Sequence, residues 1–122
     1  MRPSTDYVMA LFRWGEFEQH ISGDIVLAAR QYWYATGDKD WLTSIGFPLA
    51  KGVAEFYAKR AVPRSYKVTT RTASDDAYDI NDVMGPDEYA FPVNNSAYTN
   101  AAAIIALSFA TEAAGVLGEH PR

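Results

Sequence analysis

Residues 96–115 read SAYTNAAAIIALSFATEAAG, and the reading of this stretch decides the fold class. A hydroxyl residue stands where a helix needs an N-cap, a long apolar run follows, and Gly115 and Gly118 offer places to stop. The pattern predicts a helix capped by Asn95 or Ser96 that runs through Ala101 to Ala114 and ends at one of the two glycines. It is apolar nearly all round, yet rich in Ala and interrupted by Ser108, Thr111 and Glu112. That composition matches a buried helix of a folded domain better than a membrane span, which calls for ~20 predominantly apolar residues. No membrane is expected as a partner.

Working outward, Ser22 to Thr36 carries the same signature: Ser22 as N-cap, Asp24 in the first turn where the helix dipole favours an anion, and Gly37 at the end. Only Arg30 and Gln31 break its apolar interior from Ile25 to Ala35, which predicts an inner helix covered on most sides. A second helix differs. Leu49, Val53, Phe56 and Tyr57 fall on one side, while Lys51, Glu55 and Lys59 step along the other, so this helix faces solvent. Pro48 suits its first turn and Pro63 marks its end. Between Arg64 and Asp82 the chain turns β-branched and aromatic, with Tyr66 to Thr70, a polar break at Ala73 to Asp76, and Tyr78 to Ile80. A hairpin between the second and third helices is the simplest reading. The fold class is therefore mainly α, and two inward-type helices flanking an outer one have the rhythm of a stacked array or of a free-standing bundle.

The chain has 122 residues, enough for one small domain, and its 48% apolar and 14% aromatic content is that of a packed protein. A net charge of −4 with scattered basic residues disfavours nucleic acid. The absence of Cys removes disulfides, thiolate metal sites and thiol nucleophiles. Met1 to Trp14 has only a short apolar patch, Val8 to Phe12, without the apolar core and cleavage site of a signal peptide, so the expected compartment is cytoplasmic.

The chemistry-bearing segment runs from Asp75 to Glu88 and holds six carboxylates: Asp75, Asp76, Asp79, Asp82, Asp87 and Glu88. Most acidic runs are solvated loops. No register supplies the acidic positions, central Gly and closing Glu of a calcium loop, and Glu16, Glu18 and His20 without a fourth ligand make a weak zinc site. No metal and no cofactor is expected. What lifts the segment above a solvated loop is its context: Gly85-Pro86 fixes a turn after a strand, and Asp87-Glu88-Tyr89 follows at once, before Phe91-Pro92 and a buried helix. A carboxyl held at the end of an element, near aromatics and a second acid, is in the setting a general acid needs to keep its proton near neutral pH.

The stretch Val83-Met84-Gly85-Pro86-Asp87-Glu88-Tyr89, followed by Val93 to Asn100, closely resembles the central signature of glycoside hydrolase family 65. A second block, Glu18-Gln19-His20-Ile21-Ser22-Gly23-Asp24-Ile25 with Gln31-Tyr32-Trp33 and Thr36-Gly37-Asp38, resembles the helix that precedes it in that family. The resemblance covers about residues 16–115 of a single partial catalytic domain, whereas residues 1–15 depart from it. It implies a portion of an (α/α)6 toroid and Glu88 as general acid. It also implies a sugar subsite of Glu18, His20, Asp87, Tyr89 and Asn95. An α-glucoside is the implied substrate, with phosphate for the family's phosphorylases, and cleavage is inverting. The family also includes acid trehalase and the glucosidase acting on glucosylgalactosyl hydroxylysine, which the wording Asp82-Val83-Met84 and Asn94-Asn95-Ser96 resembles more closely.

An inverting enzyme needs one protonated carboxyl for the departing oxygen and a nucleophile on the opposite face. Glu88 supplies only the first, and in the family the base or phosphate site lies farther along than Arg122. The chain alone is therefore expected to be inactive, and to need the rest of the toroid or self-association for stability. Trp33, Trp41 and Tyr32 are expected in the core rather than as sugar platforms, because they lie on apolar helical segments. The sequon Asn94-Asn95-Ser96 is expected to stay unmodified beside the loop. The competing reading is a non-catalytic helical binding or interaction module. The enzyme needs Glu88 to open into a concave, aromatic-lined surface near Glu18 and His20, whereas the module tolerates it anywhere.

Overall fold

The computed structural model describes residues 15–64 and 77–119. Helix α1 spans Ile21–Thr36, α2 is a single turn at Lys39–Trp41, α3 spans Phe47–Arg60 and α4 spans Ala97–Leu117. A widened π-helical segment, Leu42–Gly46, joins α2 to α3, so the helical path from Lys39 to Arg60 is continuous. Strands β1 (Val62–Pro63) and β2 (Tyr78–Asp79) pair antiparallel, Val62 opposite Asp79 and Pro63 opposite Tyr78. β2 falls in the arm expected at Tyr78 to Ile80, whereas β1 precedes the segment Arg64 to Asp82 in which the hairpin is expected. The arm expected at Tyr66 to Thr70 lies outside the described residues.

The helix ends follow local chemistry. Ser96 caps α4 by accepting from the Thr99 backbone N–H, and Gly118 closes it in the left-handed conformation at φ 71°. Gly37 closes α1 in the same way at φ 61°. Pro48 sits in the first turn of α3, where its missing N–H has no helical partner to lose. The start of α1 differs from expectation. His20, not Ser22, is the N-cap, and Ser22 lies inside the helix. The helix is set back because residues just before it are fastened from outside: Tyr57 Oη donates to the Gln19 carbonyl at 2.8 Å, and Arg60 Nε donates to Gln19 Oε1 at 2.8 Å.

The core forms where α1, α3 and α4 meet. Val26 and Ala29 of α1, Ala50 and Tyr57 of α3, and Ala102, Ala106 and Phe109 of α4 are buried in one cluster with Leu42, Ile80 and Val83. The α1–α4 crossing is close enough that a Cβ on Gly23 would lie 2.7 Å from Ala102 Cβ and 2.8 Å from Tyr57 Oη. On α3 the buried stripe is Ala50, Ala54 and Tyr57, with Leu49 and Val53 packed at its edge. Phe56, expected on that side, is exposed, since 100° of helical rotation separates it from Tyr57. Lys51, Glu55 and Lys59 face solvent.

Neither apolar helix is covered all round. Ile25 and Tyr34 on α1 and Ile104, Leu107 and Val116 on α4 are exposed, Ile104 at 64%. Three packed helices give each one neighbours on one side only, so an apolar circumference cannot be buried within this array. By length and composition α4 is apolar enough to cross a membrane, a test that core helices also pass, and Phe109 and Ala113 are fully buried against the other helices. Trp33 and Trp41 pack partly buried against the core, while Tyr32 is exposed and leans on Trp41 at 4.5 Å between ring centroids.

Candidate active site

Between β2 and α4 the chain makes a loop that is closed at its neck. Val83 and Val93 exchange both backbone hydrogen bonds, at 3.0 and 2.9 Å, and the Asn95 N–H donates to the Ile80 carbonyl at 2.8 Å. Asn94 Oδ1 accepts from the Asp82 N–H at 3.0 Å, and Asn95 Oδ1 accepts from the Ile80 N–H at 3.1 Å. Asp82 and Asn95 both take positive φ, at 52° and 54°, a conformation that Asn and Asp reach more readily than other residues with side chains. Val83, Met84 and Gly85 are buried, and the peptide before Pro92 is cis. The rim Pro86 to Ala90 is exposed.

The neck is braced by charge. Arg64 Nε and Nη2 both donate to Asp79 Oδ1, at 2.9 and 2.7 Å, and Asn95 Nδ2 donates to the same oxygen at 2.9 Å. These hydrogen bonds, Arg64 first, hold the Asp79 carboxyl below the usual carboxylate range against the opposing effect of desolvation. Asn95, a residue implicated in sugar binding by resemblance, has both side-chain groups engaged within the protein in this state.

The loop is fastened to the Glu18–His20 block at two points. The Met84 N–H donates to the Phe17 carbonyl at 2.8 Å, and the Phe91 ring lies 5.9 Å from that of Phe17. Glu88 sits between these anchors in sequence and is exposed, with no hydrogen bond or ion pair among the described residues. Asp87 Oδ1 accepts from the Tyr89 N–H at 3.1 Å, which shapes the tip, and Tyr89 is 99% exposed. The loop thus presents a carboxyl and an aromatic ring, but the described residues do not desolvate them.

A polar cluster is built from the residues just before α1, from α1 and from α4. His20 is only 7% exposed. Its Nδ1 lies 2.7 Å from Asp24 Oδ2, and its Nε2 lies 3.9 Å from Glu18 Oε1. Tyr98 Oη donates to Asp24 Oδ1 at 2.9 Å, and the Tyr98 ring stands edge-on to the imidazole at 4.9 Å. That hydrogen bond, with the Asp24 charge behind it, pushes the Tyr98 hydroxyl above its ordinary value. Asp24 and Tyr98 were not read as site residues in the sequence. The spacing of His20 and Asp24, i and i+4 at a helix start, was the available signal for the first. Tyr98 lies 74 residues from Asp24, and no local pattern joins them.

A groove of about 700 Å³ lies between α3 and α4, lined by residues such as Phe47, Ala54, Leu107 and Ala110. None of its lining residues belongs to the acidic loop or to the Glu18–Asp24 block, and its walls are mostly alkyl.

The chain is a mainly helical domain with a short two-stranded sheet, and its neck-closed acidic loop is hydrogen-bonded to Phe17, three residues before His20. The sequence matches the glycosyl hydrolase family 65 central catalytic domain over residues 8–121, and the chain belongs to that family. It is 44% identical over 105 residues to a protein-glucosylgalactosylhydroxylysine glucosidase of Dictyostelium discoideum, a match spanning 86% of this chain and 14% of that protein. It is 43% identical over 104 residues to a kojibiose hydrolase of Flavobacterium johnsoniae, spanning 85% of this chain and 14% of the relative. A kojibiose phosphorylase of Halothermothrix orenii is 42% identical over 86 residues, 70% of this chain and 10% of that protein. The chain thus spans about one seventh of the length of the first two of these relatives.

Proposed function

We propose that this domain contributes the acid half of an inverting site that cleaves an α-glucosidic bond, with Glu88 as the general acid. Water or phosphate is the nucleophile on the opposite face of the sugar. Glu18, His20, Asp87, Tyr89 and Asn95 line the subsite: carboxylates and the imidazole bind sugar hydroxyls, and Tyr89 offers an apolar face to the ring. Glu88 donates its proton to the departing oxygen as substrate closes over the exposed loop tip.

The observation that supports this reading is the double fastening of the loop to Phe17, which ties the Asp87-Glu88-Tyr89 tip to the chain immediately before Glu18 and His20. The base or phosphate site comes from chain beyond Arg122, so the 122 residues alone are inactive. The exposed faces of α1 and α4 are covered by the remainder of a toroid or by self-association.

The test is stereochemical. A family-length protein carrying this segment, given kojibiose, should release the β anomer of glucose, or β-glucose 1-phosphate when phosphate is required, as the first product seen by NMR. First release of the α anomer would sink the inverting assignment.

A further inference from the structure

The last turn of α3 reaches both parts of the candidate site. Arg60 Nε donates to Gln19 Oε1 at 2.8 Å, and Arg60 Nη2 donates to the Asn81 carbonyl. Gln19 stands between Glu18 and His20, and Asn81 lies on the limb that enters the acidic loop. One planar guanidinium therefore grips two segments that are remote in sequence, with donors set in a fixed fork.

Both ends of this bridge are themselves held. Gln19 uses every polar group it has: besides the contact with Arg60, its backbone N–H donates to the Phe17 carbonyl at 2.9 Å, its side-chain amide donates to the Glu16 carbonyl at 3.1 Å, and its carbonyl accepts from Tyr57 Oη at 2.8 Å. Asn81 is flanked by Ile80 and Asp82, whose N–H groups donate to Asn95 and Asn94 of the departing limb at 3.1 and 3.0 Å. A grip on the Asn81 carbonyl thus reaches both limbs of the loop. Arg60, Gln19 and Asn81 are half-buried, and Arg60 makes no ion pair among the described residues. Its charge is spent on two neutral oxygens, one on each segment, where charge-assisted hydrogen bonds are stronger than neutral ones.

The Met84 N–H and the Phe91 ring fasten the loop to the same block, but both do so at Phe17. A loop closed at its neck and held at one residue can still pivot there. Arg60 adds a hold at Gln19 from a third element, which removes that freedom. We infer that Arg60 is a positioning residue of the reaction: it fixes the spacing between the Glu18–His20 block and the loop that carries Glu88. This rests on the reading of Glu88 as the general acid. A displaced proton donor loses rate on substrates that need the proton, while the sugar block keeps its anchors to Tyr57 and Glu16.

The test uses a family-length protein carrying this segment, with kojibiose and α-glucosyl fluoride as substrates. Arg60→Met keeps the alkyl stem and removes both donors, whereas Arg60→Lys keeps the charge and replaces the fork by a single ammonium. With Arg60→Met, kcat on kojibiose should fall by about tenfold, with KM within about twofold and the fluoride slowed by less than about threefold. Arg60→Lys should show the same ordering with a smaller loss. In a Glu88→Gln background, where no proton is left to position, Arg60→Met should slow kojibiose by less than about twofold. A variant that merely loosens the fold has no reason to spare the fluoride, or to lose its effect once Glu88 is gone. If Arg60→Met lacks the far-UV circular dichroism of the parent, Arg60→Lys decides by the same comparisons. Equal slowing of both substrates, a rise in KM at constant kcat, undiminished turnover of kojibiose, or a loss that persists in full in the Glu88→Gln background would overturn the inference. Each of these leaves the general-acid reading standing if Glu88→Gln by itself slows kojibiose far more than the fluoride. If Glu88→Gln slows the two substrates alike, that reading falls and the inference with it.

Discussion

Met84 donates its backbone N–H to the Phe17 carbonyl at 2.8 Å, joining two segments that lie 67 positions apart in the chain. This bond ties the neck of the acidic loop to the start of the Glu18–His20 block. A site built on two such segments depends on the packing beneath it, and the nearest packed crossing is that of α1 with α4. Gly23→Ala puts a methyl 2.7 Å from Ala102 Cβ and 2.8 Å from Tyr57 Oη, so the helices must part. The expected cost is about 1–3 kcal/mol, read from urea unfolding, with loss of the Tyr57–Gln19 contact. An unchanged unfolding midpoint would show that the crossing is looser than described.

The hairpin base should weaken in acid. Asp79 has its folded-state pKa lowered by Arg64 and then Asn95, so its contribution is complete above the unfolded value of ~4 and is lost as pH falls through the folded value. The thermal midpoint of the parent should therefore drop more between pH 5 and pH 2 than that of Asp79→Asn. Parallel curves for the two proteins would contradict the assignment.

Asn95→Ala removes the acceptor for the Ile80 N–H and one donor to Asp79, at a position whose φ of 54° suits Asn better than Ala. A loss of about 1–2 kcal/mol is expected from unfolding curves. Full stability would leave Asn95 free for a role in sugar contact alone.

Much of this architecture is legible in sequence because it is local. Ser96 and Gly118 bound α4, Gly37 ends α1, and the outward Lys51, Glu55 and Lys59 follow from periodicity. The start of α1 is not legible, because His20 replaces Ser22 as cap only through contacts that Tyr57 and Arg60 make with Gln19 from another helix. The apolar girth of α1 and α4 reads as burial, yet burial depends on how many neighbours surround a helix, which its own residues do not encode. Within the candidate site the Gly85-Pro86-Asp87-Glu88 turn is visible in sequence. The pairing of Asp24 with Tyr98 is a product of the α1–α4 crossing and has no linear trace.

The purified 122-residue chain should show no turnover of trehalose, maltose, kojibiose or glucosylgalactosyl hydroxylysine, with or without phosphate. Loss of one acid–base partner alone removes about 10²–10⁴ in rate. Robust cleavage by the chain, measured as released glucose, would refute the view that it carries half of the catalytic pair.

The most direct measurement of the central claim is Glu88→Gln in a family-length protein, assayed on two substrates. The amide is nearly isosteric with the acid but has no proton to give the departing oxygen. Cleavage of kojibiose should fall by about 10²–10⁴-fold, while α-glucosyl fluoride, whose leaving group needs far less protonation, should be turned over with a much smaller loss. A misfolded loop would slow both substrates alike. Equal losses on the two, or undiminished cleavage of kojibiose, would remove Glu88 from the general-acid role and leave the loop as a solvated turn.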